Sequence, residues 1–273
     1  MSADPLRLSR IRLVSADPEA LAVFFTTALG FSRVTSTRPL VDQRTTSGET
    51  RVSLRLGAQA VDLVGFARAG RPYPDAVPGW SPLFQHIALV VSDMAAAYAR
   101  LVACPGWRPI STAGPERLPA ASGGVTAFKF RDPEGHPLEF LAFPPGGIPE
   151  AWRRAGPDPC LGSDHSALSV AETAASLAFY AGLGFSVASR STNVGPAQAR
   201  LDGVPDPHVT VTGLSPPGAP TPHVELLAYA GEFPRGGYVC GDHDIAATVL
   251  VFAGAEGAPR RLRDPDGHRL WLS

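Results

Sequence analysis

With 273 residues, and 24 Lys and Arg against 25 Asp and Glu, the chain has a net charge of −1, so no basic excess exists to displace counterions from nucleic-acid phosphates. Arginine is dispersed, with no basic block for an anionic membrane surface and no run approaching the roughly 18 apolar residues of a membrane span. A hydrophobic fraction of 44% with only 18% charge excludes long disordered stretches and leaves ample surface for one large core or two ordinary ones.

In chain order, Ile11 to Ser15 reads as a short strand, followed by Asp17-Pro18 as N-cap and N1 of a helix through Leu21, Phe24 and Phe25. That helix stops at Leu29-Gly30, where glycine suits the position after the last turn. Extended stretches follow near Arg51 to Leu56 and Ala60 to Phe66. The order restarts at His86 to Asp93: Ser92 or Asp93 caps a helix reaching about Val102, and strands come at Thr126 to Phe130 and Pro137 to Phe143. It restarts again at His165 to Val170, with a helix to Leu183-Gly184 and a final strand at His223 to Tyr229. A fourth copy begins at Asp244; Ile245 to Phe252 reads as a strand, and no helical window separates it from Arg261 to Leu272.

The chain repeats itself on a larger scale. Arg131-Asp-Pro-Glu-Gly-His-Pro-Leu-Glu-Phe140 recurs 132 residues later as Arg263-Asp-Pro-Asp-Gly-His-Arg-Leu-Trp-Leu272, identical at six of ten positions. Phe24-Phe-Thr-Thr-Ala-Leu-Gly-Phe31 is echoed by Phe179-Tyr-Ala-Gly-Leu-Gly-Phe185. So long a repeat reads as domain duplication. The domains span residues 1–145 and 163–273, joined by a Pro/Gly-rich linker over 146–162.

Four βαβββ units, helices ending in Leu-Gly-Phe and the turn Asp-Pro-(Glu/Asp)-Gly-His before a last strand together resemble the vicinal oxygen chelate superfamily, which includes glyoxalases, bleomycin-resistance proteins and extradiol dioxygenases. The resemblance covers nearly the whole chain. It implies an α+β fold of four βαβββ modules in two tandem glyoxalase-like domains, the fourth module abbreviated, with paired modules curving a sheet around a cleft. It also implies metal ligands at the start of each module's first strand, usually His, and in the middle of its last strand, usually Glu. Alternation along a strand agrees, because Leu138 and Phe140 flank Glu139, and Val224 and Leu226 flank Glu225, leaving each carboxylate on the concave side.

At those positions the first module offers Arg10 and Asp62, the second His86 and Glu139, the third His165 and Glu225, and the fourth Asp244 (beside His243) and Trp271. If the first module pairs with the second and the third with the fourth, each cleft is compromised, and Arg10 could replace a metal's charge. If the second pairs with the third, one cleft collects His86, Glu139, His165 and Glu225; all four good ligands fall in the central modules, which favours this pairing. That set suits Zn²⁺, Ni²⁺, Co²⁺, Mn²⁺ or Fe²⁺.

A divalent ion there implies a glyoxalase-like lyase or isomerase working through a metal-bound enolate, with Glu139 or Glu225 moving the proton. An extradiol-type dioxygenase is the second enzyme reading. A metal-free binding protein of the bleomycin-resistance type is the third, favoured by Arg10 and Trp271. The expected partner is a small molecule, not nucleic acid or membrane, and the resemblance admits a homodimer. His136 and His268 read as structural turn residues, and His223 as a strand-end residue or a supporting partner of Glu225. The loop Ser111 to Gly124 reads as a long hairpin or a mobile lid, and the tryptophans at 80, 107 and 152 as packing anchors. Three widely separated cysteines, Cys104, Cys160 and Cys240, argue against a disulfide framework; with no apolar h-region in Met1 to Arg12, a cytoplasmic protein is expected.

Overall fold

A computed structural model describes residues 4–34, 48–75, 77–83, 85–153, 156–231, 240–255 and 257–273. The first group of elements is β1 (Arg7–Val14), α1 (Pro18–Leu29), β2 (Ser32–Arg33), β3 (Glu49–Leu56) and β4 (Gln59–Phe66). The second is β5 (Gln85–Val91), α2 (Met94–Val102), β6 (Arg108–Pro109), β7 (Glu116–Arg117), β8 (Thr126–Arg131) and β9 (Pro137–Ala142). The third is β10 (Cys160–Ser169), α3 (Thr173–Gly182), β11 (Ser186–Val194), α4 (Gly195–Asp202), β12 (His208–Ser215) and β13 (His223–Tyr229). The last is β14 (Val249–Ala253), β15 (Arg260–Arg263) and β16 (Arg269–Leu272), with no helix among its described residues. Nor is any described helix long and apolar enough to cross a membrane.

Local chemistry sets the helix ends. Asp17 accepts from the Ala20 amide and Asp93 from the Ala96 amide, each satisfying one orphan donor of a first turn. Of the two candidate caps for α2, Asp93 is the one that acts. Gly30 closes α1 at φ 74°, a conformation open to glycine.

The strands form two sheets that cut across the halves of the sequence. One runs β15-β16-β14-β1-β4-β3-β2, the other β11-β12-β13-β10-β5-β9-β8-β6 with β7 paired on β8. The first group therefore joins the fourth through antiparallel β1 and β14, and the second joins the third through antiparallel β5 and β10.

The Asp-Pro-x-Gly-His turns tie together groups that are neighbours in sequence but lie in different sheets. His136 Nδ1 is 2.7 Å from Asp132 Oδ2 and its Nε2 is 2.9 Å from the Val14 carbonyl oxygen at the end of β1. Both acceptors lack protons to give, so both ring nitrogens donate, and Asp132 overcomes burial to hold the imidazole above its ordinary range. Glu134 of the same turn accepts from the Ser15 hydroxyl and the Ala16 and Asp17 amides, just ahead of α1. The second copy repeats the device: His268 Nε2 lies 2.9 Å from the Ser169 carbonyl, and Asp266 accepts from the Ala171 amide ahead of α3.

Alternation sorts each strand into a core face and a cleft face. On β8, Phe128 and Phe130 are buried against α2 and β9, with Tyr98 and Phe140 each 4.9 Å away between ring centroids, while Lys129 points to the other side. Burying each ring contributes roughly 1.5–3 kcal/mol.

Two sequence expectations change and a third gains a contact. Ile245 to Thr248 lies before β14 in tight turns, so the strand expected from Ile245 starts at Val249. The helix α4 was not foreseen, being short and polar, although Pro196 near its start and Gly203 at φ 63° after its end are the usual marks of a helix. The loop Ser111 to Gly124 does contain the expected hairpin, β7 pairing antiparallel with β8 and the Leu118 amide donating to the Val125 carbonyl at 2.8 Å, and it also docks on α4. Its Thr112 amide donates to the Arg200 carbonyl at 2.8 Å, and its Glu116 grips the Arg200 guanidinium at 2.6 and 2.8 Å.

Candidate functional site

The concave face of the nine-stranded sheet holds a cleft of about 440 Å³. His86 comes from β5, Glu139 from β9, His165 from β10 and Glu225 from β13, and all four line it. Register explains the convergence. Glu139 sits opposite Ala88, two residues past His86, and Glu225 sits opposite Ala167, two residues past His165, so each imidazole and its carboxylate share a face one pleat apart. The antiparallel contact of β5 with β10, which places Ala88 opposite His165, then brings the two pairs together.

His86 Nε2 lies 2.9 Å from Glu139 Oε2, and His165 Nε2 lies 3.7 Å from the same oxygen and 3.4 Å from Glu225 Oε2. Ligand atoms of His86, Glu139 and His165 all fall within 4.8 Å of one another, while Glu225 adjoins this trio through His165. An ion with bonds of about 2.1 Å separates adjacent donors by about 3.0 Å in an octahedron and about 3.4 Å in a tetrahedron, near the 2.9 and 3.7 Å from Glu139 to the two imidazoles.

The charge balance fits as well. Glu139, Glu225, Asp164 and Asp202 line the cleft against Lys129, Arg190 and the His165 imidazolium, leaving one negative charge over. Burial and the Lys129 charge push His86 below its ordinary range, which keeps a lone pair available for coordination. Burial would raise the Glu139 carboxyl, but Lys129, His165 and His86 outweigh it and hold it well below the carboxylate range. Burial would lower His165, but Glu225, Asp164 and Glu139 hold its imidazolium well above its ordinary range. Glu225 is also depressed, because His165 and His223 outweigh its burial.

Two contributors were not anticipated. Asp164 Oδ2 lies 3.1 Å from His165 Nδ1, although neighbours on a regular strand face opposite ways. The register shifts between Ser163 and His165, and this bulge turns both side chains into the cleft. The Trp152 indole donates to Asp164 Oδ1 at 3.1 Å, so a residue of the expected linker anchors the support of a site histidine; residues 154 and 155 of that linker lie outside the described set. The signal in the sequence was the polar run Ser163-Asp164-His165 at the head of an apolar strand.

The other contributor is Lys129, opposite Glu139 in the β8–β9 register and the chain's only lysine. Its Nζ lies 2.7 Å from Asp202 Oδ1 on α4, and the Gln198 amide and Tyr229 hydroxyl donate to Asp202 Oδ2. A single lysine among 24 basic residues, alternating with phenylalanines in a strand, was the available sign. His223, foreseen as a possible support for Glu225, lies 3.4 Å from its Oε1.

Among the described residues, the first and fourth groups hold no such set. Arg10 Nη1 pairs with Asp62 Oδ2 at 2.8 Å, so the guanidinium takes the place of an ion beside that carboxylate. Trp271 is opposite Val251, which puts Val249, not Asp244, at the position matching His86. Asp244 instead accepts from the Arg71 side chain and backbone in the adjoining loop, which outweighs its burial and pulls its carboxyl down to about 2.

Residues 7–140, just under half of the chain, match the Glyoxalase/Bleomycin resistance protein/Dioxygenase superfamily, which is consistent with a tandem member of this vicinal oxygen chelate group. The solved structure of glyoxalase I from Zea mays is similar over 98% of this chain and 92% of that one, at 16% identity and a TM-score of 0.59. A glutamate-to-glutamine mutant of the maize enzyme matches over 98% and 94%, at 17% identity and 0.61. A Bacillus subtilis protein described as a candidate dioxygenase is similar over 99% of this chain and 86% of its own, at 12% identity and 0.57. At these identities the likeness shows the fold alone. No curated protein matches the sequence.

Proposed function

We propose that the chain is a metal-dependent small-molecule enzyme of the glyoxalase type, a lyase or isomerase that moves a proton next to a carbonyl. Its ion would be held by His86, Glu139, His165 and Glu225. The observation that carries this reading is the meeting of two buried imidazoles and a buried carboxylate, from strands in both halves of the sequence, within 4.8 Å in a carboxylate-rich cleft.

When bound, a divalent ion (Zn, Ni, Co, Mn or Fe) supplies Lewis-acid stabilisation of negative charge developing on adjacent substrate oxygens. Glu225 is the better placed of the two glutamates to carry the proton. Its side chain is 20% exposed against 7% for Glu139, and it lacks the facing lysine that holds Glu139 well below the carboxylate range. Asp164 fixes the His165 ring by accepting from Nδ1, leaving Nε2 toward the glutamates. Gln198 Oε1 lines the cleft, buried and without a hydrogen-bond donor, which suits a hydroxylated substrate.

Elemental analysis before and after chelation tests this reading, followed by proton–deuterium exchange at carbons beside the carbonyl of hydroxyketones. About one equivalent of transition metal, lost in His86→Ala, with exchange lost in Glu225→Gln, is the expected result. No metal after reconstitution would remove it and leave the metal-free binding protein.

The same trio, two histidines and one carboxylate, also supports a second reading, an extradiol-type dioxygenase built on Fe²⁺ with His223 as the nearby acid–base group. Oxygen uptake with a catechol by the Fe²⁺-loaded protein separates it from the first.

A further inference from the structure

A second cleft, of about 460 Å³, lies on the concave face of the seven-stranded sheet, and its chemistry is the reverse of the first. Arg12, Arg261, Arg263 and Arg269 line it against Glu49 and Asp242, an excess of two positive charges in a chain whose net charge is −1. The acids are shared rather than matched. Glu49 Oε1 takes guanidiniums from both Arg12 at 3.0 Å and Arg51 at 2.7 Å, and Asp242 Oδ1 takes both Arg263 and Arg269 at 3.2 Å. Arg261 has no carboxylate partner among the described residues and stands exposed on β15.

Aromatic surface faces these charges. The Trp271 ring has Arg12 at 5.4 Å and Arg261 at 5.5 Å from its centroid, and Phe66 stacks on His243 at 4.0 Å with their planes 17° apart. Val14, Val64 and Val249 add apolar floor. A guanidinium held over an indole is oriented by the ring quadrupole and offers its in-plane N–H fork to a carboxylate, while the ring next to it stacks on a flat π-system. A volume of about 460 Å³ falls in the range of small-molecule sites.

We propose that this cleft is a second, metal-independent binding site that takes a planar aromatic carboxylate, with Arg261 and Arg12 as carboxylate donors and Trp271 as the stacking wall. The site does not depend on the reaction assigned to the central cleft.

Calorimetric titration of the full chain with 2-naphthoate tests it, beside two probes that each lack one feature: 2-naphthalenemethanol, which has no charge, and inorganic sulfate, which has no ring. Naphthoate should bind with 1:1 stoichiometry, at least about tenfold more tightly than either control. Arg261→Ala should weaken it about tenfold or more, and because that side chain is exposed the variant keeps its fold. Trp271→Leu should weaken it comparably, with thermal melting as the check on folding and Arg12→Gln as the alternative if it unfolds. His165→Ala should leave naphthoate binding intact. The proposal is overturned by no binding at millimolar naphthoate, by equal affinity for either control probe, by unchanged affinity in Arg261→Ala, or by loss of binding in His165→Ala.

Discussion

Removing the His165 imidazole addresses the central cleft most directly, because that ring adjoins both glutamates and Asp164. Its Nε2 faces Glu139 and Glu225 at 3.7 and 3.4 Å, and its Nδ1 is held by Asp164 at 3.1 Å. A four-ligand zinc site in a peptide binds with about 10–16 kcal/mol, so one ligand of four is worth roughly 3 kcal/mol and its loss about a hundredfold or more in affinity. His165→Ala should therefore weaken metal binding by two to three orders of magnitude, as roughly 3–4 kcal/mol implies. Asp164→Asn, which leaves the ligand but frees its ring, should cost about 10–100-fold. Asp62→Ala and Arg10→Ala should cost nothing, since those residues belong to the other sheet. The assay is competition against a chromophoric chelator at fixed pH. Because Glu225, Asp164 and Glu139 hold a proton on metal-free His165 at neutral pH, uptake should release it, and affinity should rise with pH. Unchanged affinity in His165→Ala together with reduced affinity in Asp62→Ala would refute the reasoning and return the pairing to the first and second groups.

Asp244→Asn should destabilise the protein at pH 7 by roughly 2 kcal/mol, the equivalent of a carboxyl taken from 3.8 to about 2. That contribution is complete above the unfolded value and is lost as pH falls through about 2, so urea midpoints of wild type and variant should converge in strong acid. His136→Ala leaves buried Asp132 Oδ2 and the Val14 carbonyl without the imidazole donor and should cost about 3 kcal/mol. The folded His136 titrates above its ordinary 6.5, so its contribution is whole below that value and disappears as pH rises through the folded one; melting curves from pH 6 to 9 should show the wild-type advantage shrinking. Lys129, the sole lysine, is 5% exposed, so an amine-reactive reagent followed by mass spectrometry should label it only once the protein is unfolded. Rapid labelling of the native protein would contradict its burial against Asp202.

Features written in short stretches of chain were legible in the sequence. Asp17 and Asp93 cap helices because their carboxylates reach amides three residues on, and Gly30 follows α1 because its φ of 74° suits glycine. Glu139 and Glu225 could be placed in clefts because alternation on a strand needs only their neighbours. Asp244 was misplaced because the window from Ile245 to Phe252 is apolar whether it extends or turns, and only the pairing of β14 with β16 shows that the strand starts at Val249. Asp164 was missed for the opposite reason: a bulge breaks the alternation that the reading relied on.

By itself, then, the sequence determined the class of fold, the duplication and the chemical identity of the four side chains in the central cleft. Only the tertiary structure decided which groups share a sheet, and so whether His86 and Glu139 would meet His165 and Glu225 or the ion-paired Arg10 and Asp62. The physical reason is that caps, turns and alternation are settled within a few residues. The joining of β5 to β10 and of β1 to β14 is settled by hydrogen bonds and packing between strands far apart in the chain, which no local pattern records.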